Sequence, residues 1–322
     1  MKAVSFLQDL QGKYGIDRVV VACGVFDGVH RGHQRIIAAL LKQARDLNAV
    51  PVAVTFTPHP RAILQPGKTP QLLTVRDQKL RLLAECGVQA AVLLPFSREM
   101  ATLPPEQFLK DYLLPPGIEL GGICVGTDWH FGACGKGDTD MLRELGHRLG
   151  FAVITVPEFH LYGQPVSSTR IREAIAKGRL KYASRLLGRP YAIQSHVAHG
   201  KGIGTHQLHC PTANVLDKQI VLPPCGVYAA RGFIDADNRR EHQGIVYIGT
   251  APTISHADSA SEPILEFHLF DFHQNLYNTT LEVEFAQFIR PDKCFESVDA
   301  LGRQIQCDIA VARNVLQNPQ KC

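Results

Sequence analysis

No uncharged apolar run in the sequence approaches the roughly 18 residues that a membrane-spanning helix needs, so a membrane protein is not expected. The nine cysteines, at 23, 86, 124, 134, 210, 225, 294, 307 and 322, include neither a C-x-x-C pair nor a zinc-ribbon spacing. Free thiols in a reducing compartment are therefore expected in preference to disulfides or structural zinc. Net charge is only +4 over 322 residues, small for a dedicated nucleic-acid binder, whose basic face normally shows in the total. Residues 1–15 mix Asp9 and Lys13 with their apolar residues and lack a secretory h-region. A cytoplasmic protein with no membrane or nucleic-acid partner is the expectation. What is present, 45% hydrophobic and 20% charged residues, is the material of globular cores, and the length suggests two domains.

The first half alternates apolar strands with amphipathic stretches. Strands are expected at 18–23, 50–56, 90–95, 122–125 and 152–156, and helices at 32–47, 79–85, 106–113 and 141–149. Strand and helix in strict alternation predict a doubly wound parallel sheet, whose ligands sit at the carboxyl ends of the strands. After Tyr191 strand-like segments dominate, at 192–198, 226–234, 243–248, 264–272 and 280–287, before an amphipathic helix at 297–315. This predicts an α/β protein: a Rossmann-like domain over 1–188, then a small antiparallel β-barrel with a C-terminal helix over 189–322. The join is expected at Leu187-Gly188-Arg189-Pro190, a helix stop followed by proline. Charge changes at the same place: residues 1–190 carry 24 Lys+Arg against 16 Asp+Glu, or +8, and the rest 10 against 14, or −4. The basic half suits a polyphosphate ligand.

Between the first strand and first helix lies Gly24-Val25-Phe26-Asp27-Gly28-Val29-His30-Arg31-Gly32-His33. Its glycines allow tight turns, and its histidines, three apart, fall at a helix N-terminus, where N–H groups and the helix dipole favour anions. Phosphate is the inferred ligand. A two-histidine metal site and ordinary capping are the competing readings, the former without an H-E-x-x-H pattern to support it.

This segment resembles the H-x-G-H nucleotidyltransferase signature of the prokaryotic bifunctional riboflavin kinase/FAD synthetase family. Three further matches follow in order: Thr55-Phe56-Thr57-Pro58-His59-Pro60, Gly126-Thr127-Asp128-Trp129-His130-Phe131-Gly132, and Val166-Ser167-Ser168-Thr169-Arg170-Ile171-Arg172. In the last, hydroxyls ahead of a basic helical start suit pyrophosphate, although a plain N-cap gives the same residues. The resemblance implies that His30, His33 and Arg170 are catalytic. It implies further that Gly24, Phe26, Asp27, Gly28, Gly32, Ser167, Ser168, Thr169 and Arg172 bind ATP phosphates, and that Asp128 and Phe131 bind flavin.

The second half resembles the family's riboflavin kinase part. Pro211-Thr212-Ala213-Asn214, Leu222-Pro223-Pro224-Cys225-Gly226-Val227-Tyr228, Leu265-Glu266-Phe267-His268 and the run 285–308 carry the likeness. It implies Thr212 and Asn214 at Mg²⁺, Gly202 and Gly204 at ATP phosphates, Tyr228 at flavin, and Glu266 as the base that takes the riboflavin 5′-hydroxyl proton. Taken alone, a strand carboxylate such as Glu266 is often merely exposed. This half also departs from the family pattern. His209-Cys210 stands where Gly-Phe is usual, Tyr247 and Ala251 stand where Asn and Arg are usual, and Tyr277-Asn278 replaces Tyr-Gly. Lost polar and cationic groups of this kind weaken nucleotide binding.

The implied function is flavin-nucleotide synthesis on small-molecule substrates: riboflavin and ATP to FMN, then FMN and ATP to FAD, with Mg²⁺ as cofactor. The alternatives are an FAD synthetase whose kinase-like half is degenerate, and a flavin sensor or carrier without turnover.

Overall fold

A computed structural model of the protein describes residues 1–198, 213–215, 219–235, 238–249, 264–272 and 279–317, with the backbone alone at 198 and 213–215. The chain divides into two compact units, Met1–Gln71 with Arg76–Ser168, and Leu72–Val75 with Thr169–Cys322. The division falls earlier in the chain than the join expected at 188/189.

In the first part of the chain the elements are β1 (Lys2–Val4), α1 (Asp9–Tyr14), β2 (Arg18–Cys23), α2 (Arg31–Asp46), β3 (Val50–Thr57), α3 (Pro60–Leu64) and α4 (Arg76–Glu85). They continue as β4 (Ala90–Pro95), α5 (Arg98–Ala101), α6 (Pro105–Tyr112), β5 (Glu119–Gly126), α7 (Thr139–Leu149), β6 (Ala152–Val156) and the pair β7 (His160–Leu161) and β8 (Gln164–Pro165). Strands β1 to β6 form one parallel sheet in the order β1-β4-β3-β2-β5-β6. Alternation along β2 sends Val19, Val21 and Cys23 into a core with Leu10, Phe108, Leu109, Leu142 and Leu145 of α1, α6 and α7. Val20 and Ala22 enter the opposite core, with Ile37 and Leu40 of α2 and Leu82 and Leu83 of α4. Helices thus cover both faces, and the apolar strand runs reflect burial on both sides. The doubly wound sheet expected from the alternation is borne out, with β1 as an additional edge strand.

Chain order reverses between β2 and β5, which are neighbours although two strands separate them in sequence. The crevice beyond the carboxyl ends of such a strand pair is where open α/β sheets bind ligands. The loops leaving β2 and β5 are the histidine-rich segment and the segment containing Asp128.

The second part begins with α8 (Ser168–Ala176) and α9 (Leu180–Leu187). Then come β9 (Ala192–Ala198), β10 (Ala213–Val215), β11 (Gly226–Ile234), β12 (Glu241–Gly249), β13 (Ile264–Leu269), β14 (Thr280–Pro291) and α10 (Val298–Gln317). The six strands close into an antiparallel barrel in the order β10-β13-β12-β11-β14-β9, as the resemblance and the strand pattern predict. Helix α10 lays Ala312 and Leu316 on Val227, Ala229 and Ile245 of the barrel's outer surface. Arg290 on β14, half-buried, pins it with an ion pair to the buried Asp308, 2.9 Å between Nη2 and Oδ2. Among the described residues, no helix is long and apolar enough to cross a membrane.

Candidate active sites

The loop of residues 24–33 is anchored before it is shaped. Phe26 and Val29 are buried among Val20, Ala22, Ile37 and Leu40. Both have left-handed backbones, φ 52° and 39°, beside Gly28 at 80°. A positive φ costs a non-glycine residue about 1–3 kcal/mol, and a β-branched valine is the less suited of the two. Burying the two side chains returns about 1.5–3 kcal/mol each, enough to hold the turn.

Four side chains from different elements then grip three alternate carbonyls of this loop. Thr55 Oγ1 and Lys79 Nζ donate to Val25 O at 3.0 and 3.2 Å, Ser168 Oγ to Asp27 O at 2.9 Å, and Gln34 Nε2 to Val29 O at 3.0 Å. Ser168, expected as a phosphate ligand, therefore acts here on the loop backbone. The loop ends at His30, the N-cap of α2, whose Nδ1 accepts the His33 N–H at 3.3 Å. An accepting Nδ1 puts the proton of a neutral ring on Nε2, a hydrogen-bond donor suited to an anion. The His30 and His33 rings stack with centroids 3.6 Å apart, and Phe26 meets His33 edge-on at 5.3 Å. The first turn of α2 contains no acidic residue, so nothing in it cancels the positive end of the helix. Gly32 allows the stack: a Cβ there would lie 3.1 Å from His30 Cε1 and 3.5 Å from Val166 O, while one at Gly24 would meet the Phe26 ring at 3.2 Å.

The loop after β5 is built differently. Phe131 and Gly137 exchange backbone hydrogen bonds at 3.0 and 2.9 Å, and the Phe131 ring is buried against Trp129, 4.6 Å away and nearly parallel. Expected as a flavin contact, Phe131 is a core side chain that fixes the loop, whereas Asp128 is exposed near its tip. His59 caps α3, accepting the Arg61 N–H at 3.1 Å.

The hydroxyl and arginine motif straddles the division between the units. Ser167 and Ser168 belong to the first; Thr169, Arg170 and Arg172 belong to the second. Within the second, Arg170 donates to the Tyr182 hydroxyl through Nε at 2.8 Å and through Nη2, with its guanidinium over that ring.

On the barrel, register brings together residues far apart in sequence. Glu266 on β13 stands opposite Asn214 on β10 and opposite Tyr247 on β12. Glu266 is half-buried, and burial raises its carboxyl pKa above the ordinary value. Tyr247 donates to both Asp292 oxygens at 3.2 Å; burial, then that carboxylate, pushes its phenol up. Tyr228, expected at the flavin, is buried inside the barrel with its hydroxyl donating to Pro224 O at 2.5 Å. It fixes the turn into β11. Gly202, Gly204, Thr212, His209, Cys210, Ala251, Tyr277 and Asn278 lie outside the described residues. The seven described cysteines are free thiols, and burial pushes those of Cys23 and Cys124 up, the latter to about 12. They belong to opposite faces of the sheet.

Lys79, Thr55 and Gln34 were not among the expected site residues. Thr55 lies in a matched motif, and Gln34 directly follows His33, but Lys79 is 54 residues from the carbonyl it grips, and only the fold brings it there.

A histidine-bearing loop that caps a helix at the switch point of a parallel sheet, with Glu266 on the wall of a closed barrel, is the arrangement of a nucleotide-dependent transferase with two centres. Comparison with known proteins agrees. The family profile for FAD synthetase matches residues 15–170, and that for riboflavin kinase matches residues 187–316. The chain is 38% identical over 294 residues to the bifunctional riboflavin kinase/FMN adenylyltransferase of Pseudomonas fluorescens, covering 91% of this chain and 92% of that one. It is 36% identical to the protein of the same name from Escherichia coli K12, over 91% of each. With the one from Bacillus subtilis it shares 32% over 94% of each. A crystal structure titled macrolide-efflux protein, from Streptococcus pneumoniae, superposes with a TM-score of 0.78 at 31% identity, covering 92% of this chain and 94% of that one. The chain belongs to the bifunctional riboflavin kinase/FMN adenylyltransferase family.

Proposed function

We propose that the protein makes FAD from riboflavin in two steps at two centres: ATP + riboflavin → FMN + ADP on the barrel, and ATP + FMN → FAD + pyrophosphate on the parallel sheet. The functional division lies at 188/189, close to where the riboflavin kinase profile begins. The observation that carries the adenylyl-transfer step is the loop of residues 24–33, an anion cradle at the sheet's switch point.

In that step an FMN phosphate oxygen attacks the α-phosphorus of ATP. A new P–O bond forms, the bond to the bridging oxygen breaks, and pyrophosphate leaves with its electron pair. The enzyme needs no covalent intermediate, only positioning and neutralisation of charge. His30 and His33 donate to the phosphates at the positive end of α2, with Gly24, Gly28 and Gly32 allowing close approach. Asp27, Phe26 and Ser168 hold the loop, and the family resemblance assigns Ser167, Thr169, Arg170 and Arg172 to the ATP phosphates and Asp128 to the flavin.

In the kinase step Glu266 takes the 5′-hydroxyl proton of riboflavin as that oxygen attacks the γ-phosphorus and ADP leaves. Its raised pKa makes it the stronger base. Carbonyl and hydroxyl oxygens suit a hard cation, so Asn214, opposite Glu266, and Thr212 are the residues for Mg²⁺, which would neutralise charge on the transferring phosphates. A cytoplasmic location fits these small-molecule substrates. Purified protein given FMN and Mg-ATP should yield FAD and pyrophosphate in equal amounts; absence of both would refute the adenylyltransferase assignment.

A further inference from the structure

Lys79 places a cation beneath the phosphate-binding loop. From α4 its Nζ donates to Val25 O at 3.2 Å and to Thr55 Oγ1 at 3.3 Å, while Thr55 Oγ1 donates to the same carbonyl at 3.0 Å. The carbonyl thus already has a neutral donor. What the lysine adds is charge, kept in a poorly solvated place: burial lowers its pKa from the usual lysine value, and the buried Asp27 nearby works against that shift. A group needed only to satisfy Val25 O would not have to be ionic, because desolvating an ammonium opposes folding. The segment it touches is the one with left-handed Phe26 and Val29, whose alternate carbonyls Ser168 and Gln34 also grip. A shape with this much backbone strain persists only where its surroundings over-determine it, and such shapes mark working sites.

We propose that Lys79 is a positioning residue for adenylyl transfer: through Val25 and Thr55 it fixes the loop of residues 24–33, and its charge balances Asp27, so that His30 and His33 meet the nucleotide polyphosphate in register. The proposal rests on the adenylyltransferase reading. Lys79 itself touches loop and strand, and acts through them.

The test uses the full chain with Lys79→Met, Lys79→Gln and Lys79→Arg. FMN adenylylation is measured as kcat and as KM for ATP, riboflavin phosphorylation is measured in the same preparations, and thermal unfolding is followed. Lys79→Met and Lys79→Gln should each lose at least tenfold in kcat for FAD formation, with the larger change in kcat rather than KM, unchanged kinase activity and an undiminished Tm. Lys79→Arg, which keeps the charge, should retain more activity than either. The proposal is overturned if Lys79→Met adenylylates FMN within twofold of wild type. It is equally overturned if all three variants lose both activities and Tm together, the mark of a merely structural lysine. Wild-type protein that makes no FAD from FMN would overturn the underlying reading instead.

Discussion

Replacing Gly32 by alanine puts a methyl group 3.1 Å from His30 Cε1 and 3.2 Å from its Nδ1. Both distances are inside ordinary van der Waals contact, so the buried His30 ring must give by a few tenths of an ångström. It cannot do so quietly. One face of the ring stacks on His33 at 3.6 Å, and Nδ1 already accepts the His33 N–H at a long 3.3 Å. Loss of that cap costs about 0.5–2 kcal/mol, and alanine in the first turn of α2 returns up to about 1 kcal/mol of helix propensity. Stability should therefore fall by no more than about 2 kcal/mol. Catalysis is more sensitive, because a misplacement of about 1 Å can cost about a hundredfold in rate. A shift of a few tenths should lower kcat/KM for FAD formation about 5- to 20-fold. The assay is chromatographic separation of FAD from FMN at varied ATP, with riboflavin phosphorylation as an internal control. Gly32→Ala protein that adenylylates FMN within twofold of wild type would refute the argument that the His30–His33 pair needs this close approach.

Three further outcomes follow from the barrel. Glu266→Gln should lower kinase kcat at least a hundredfold and leave FMN adenylylation unchanged, measured as FMN formed from riboflavin and FAD formed from FMN. Because burial raises the Glu266 pKa, its base form is lost as pH falls through that raised value, so the acid limb of the kinase pH–rate profile should lie above the ordinary 4.5 and be absent from adenylylation. Asp308→Ala leaves the half-buried Arg290 without its carboxylate partner, and loosens α10 from β14. It should destabilise the barrel by about 3–5 kcal/mol in denaturant unfolding.

Most strands and helices were legible because burial and periodicity coincide in them. The strand at 90–95 and the strand at 152–156 match β4 and β6 to the residue. Strands β1 and β10 were missed because three residues cannot display a period; pairing with β4 and with β9 and β13 makes them strands. The loop of residues 24–33 was legible as a motif, yet the reason it keeps its shape was not. Lys79 reads as one more polar residue on an amphipathic helix until the sheet brings α4 beneath the loop. Phe131 and Tyr228 lie in matched motifs, and the structure adds what the sequence does not show, that both side chains are buried and hold their loops from the core. A motif names the segment that functions, while burial decides which of its residues can reach a ligand.

The central claim, two separate centres working in sequence, is tested most directly by giving riboflavin and Mg-ATP to His33→Ala protein and following the flavins over time. The account predicts that FMN accumulates at the wild-type rate and that FAD formation falls by at least two orders of magnitude. FAD appearing at the wild-type rate, or FMN failing to appear from this variant while wild type produces it, would contradict the account.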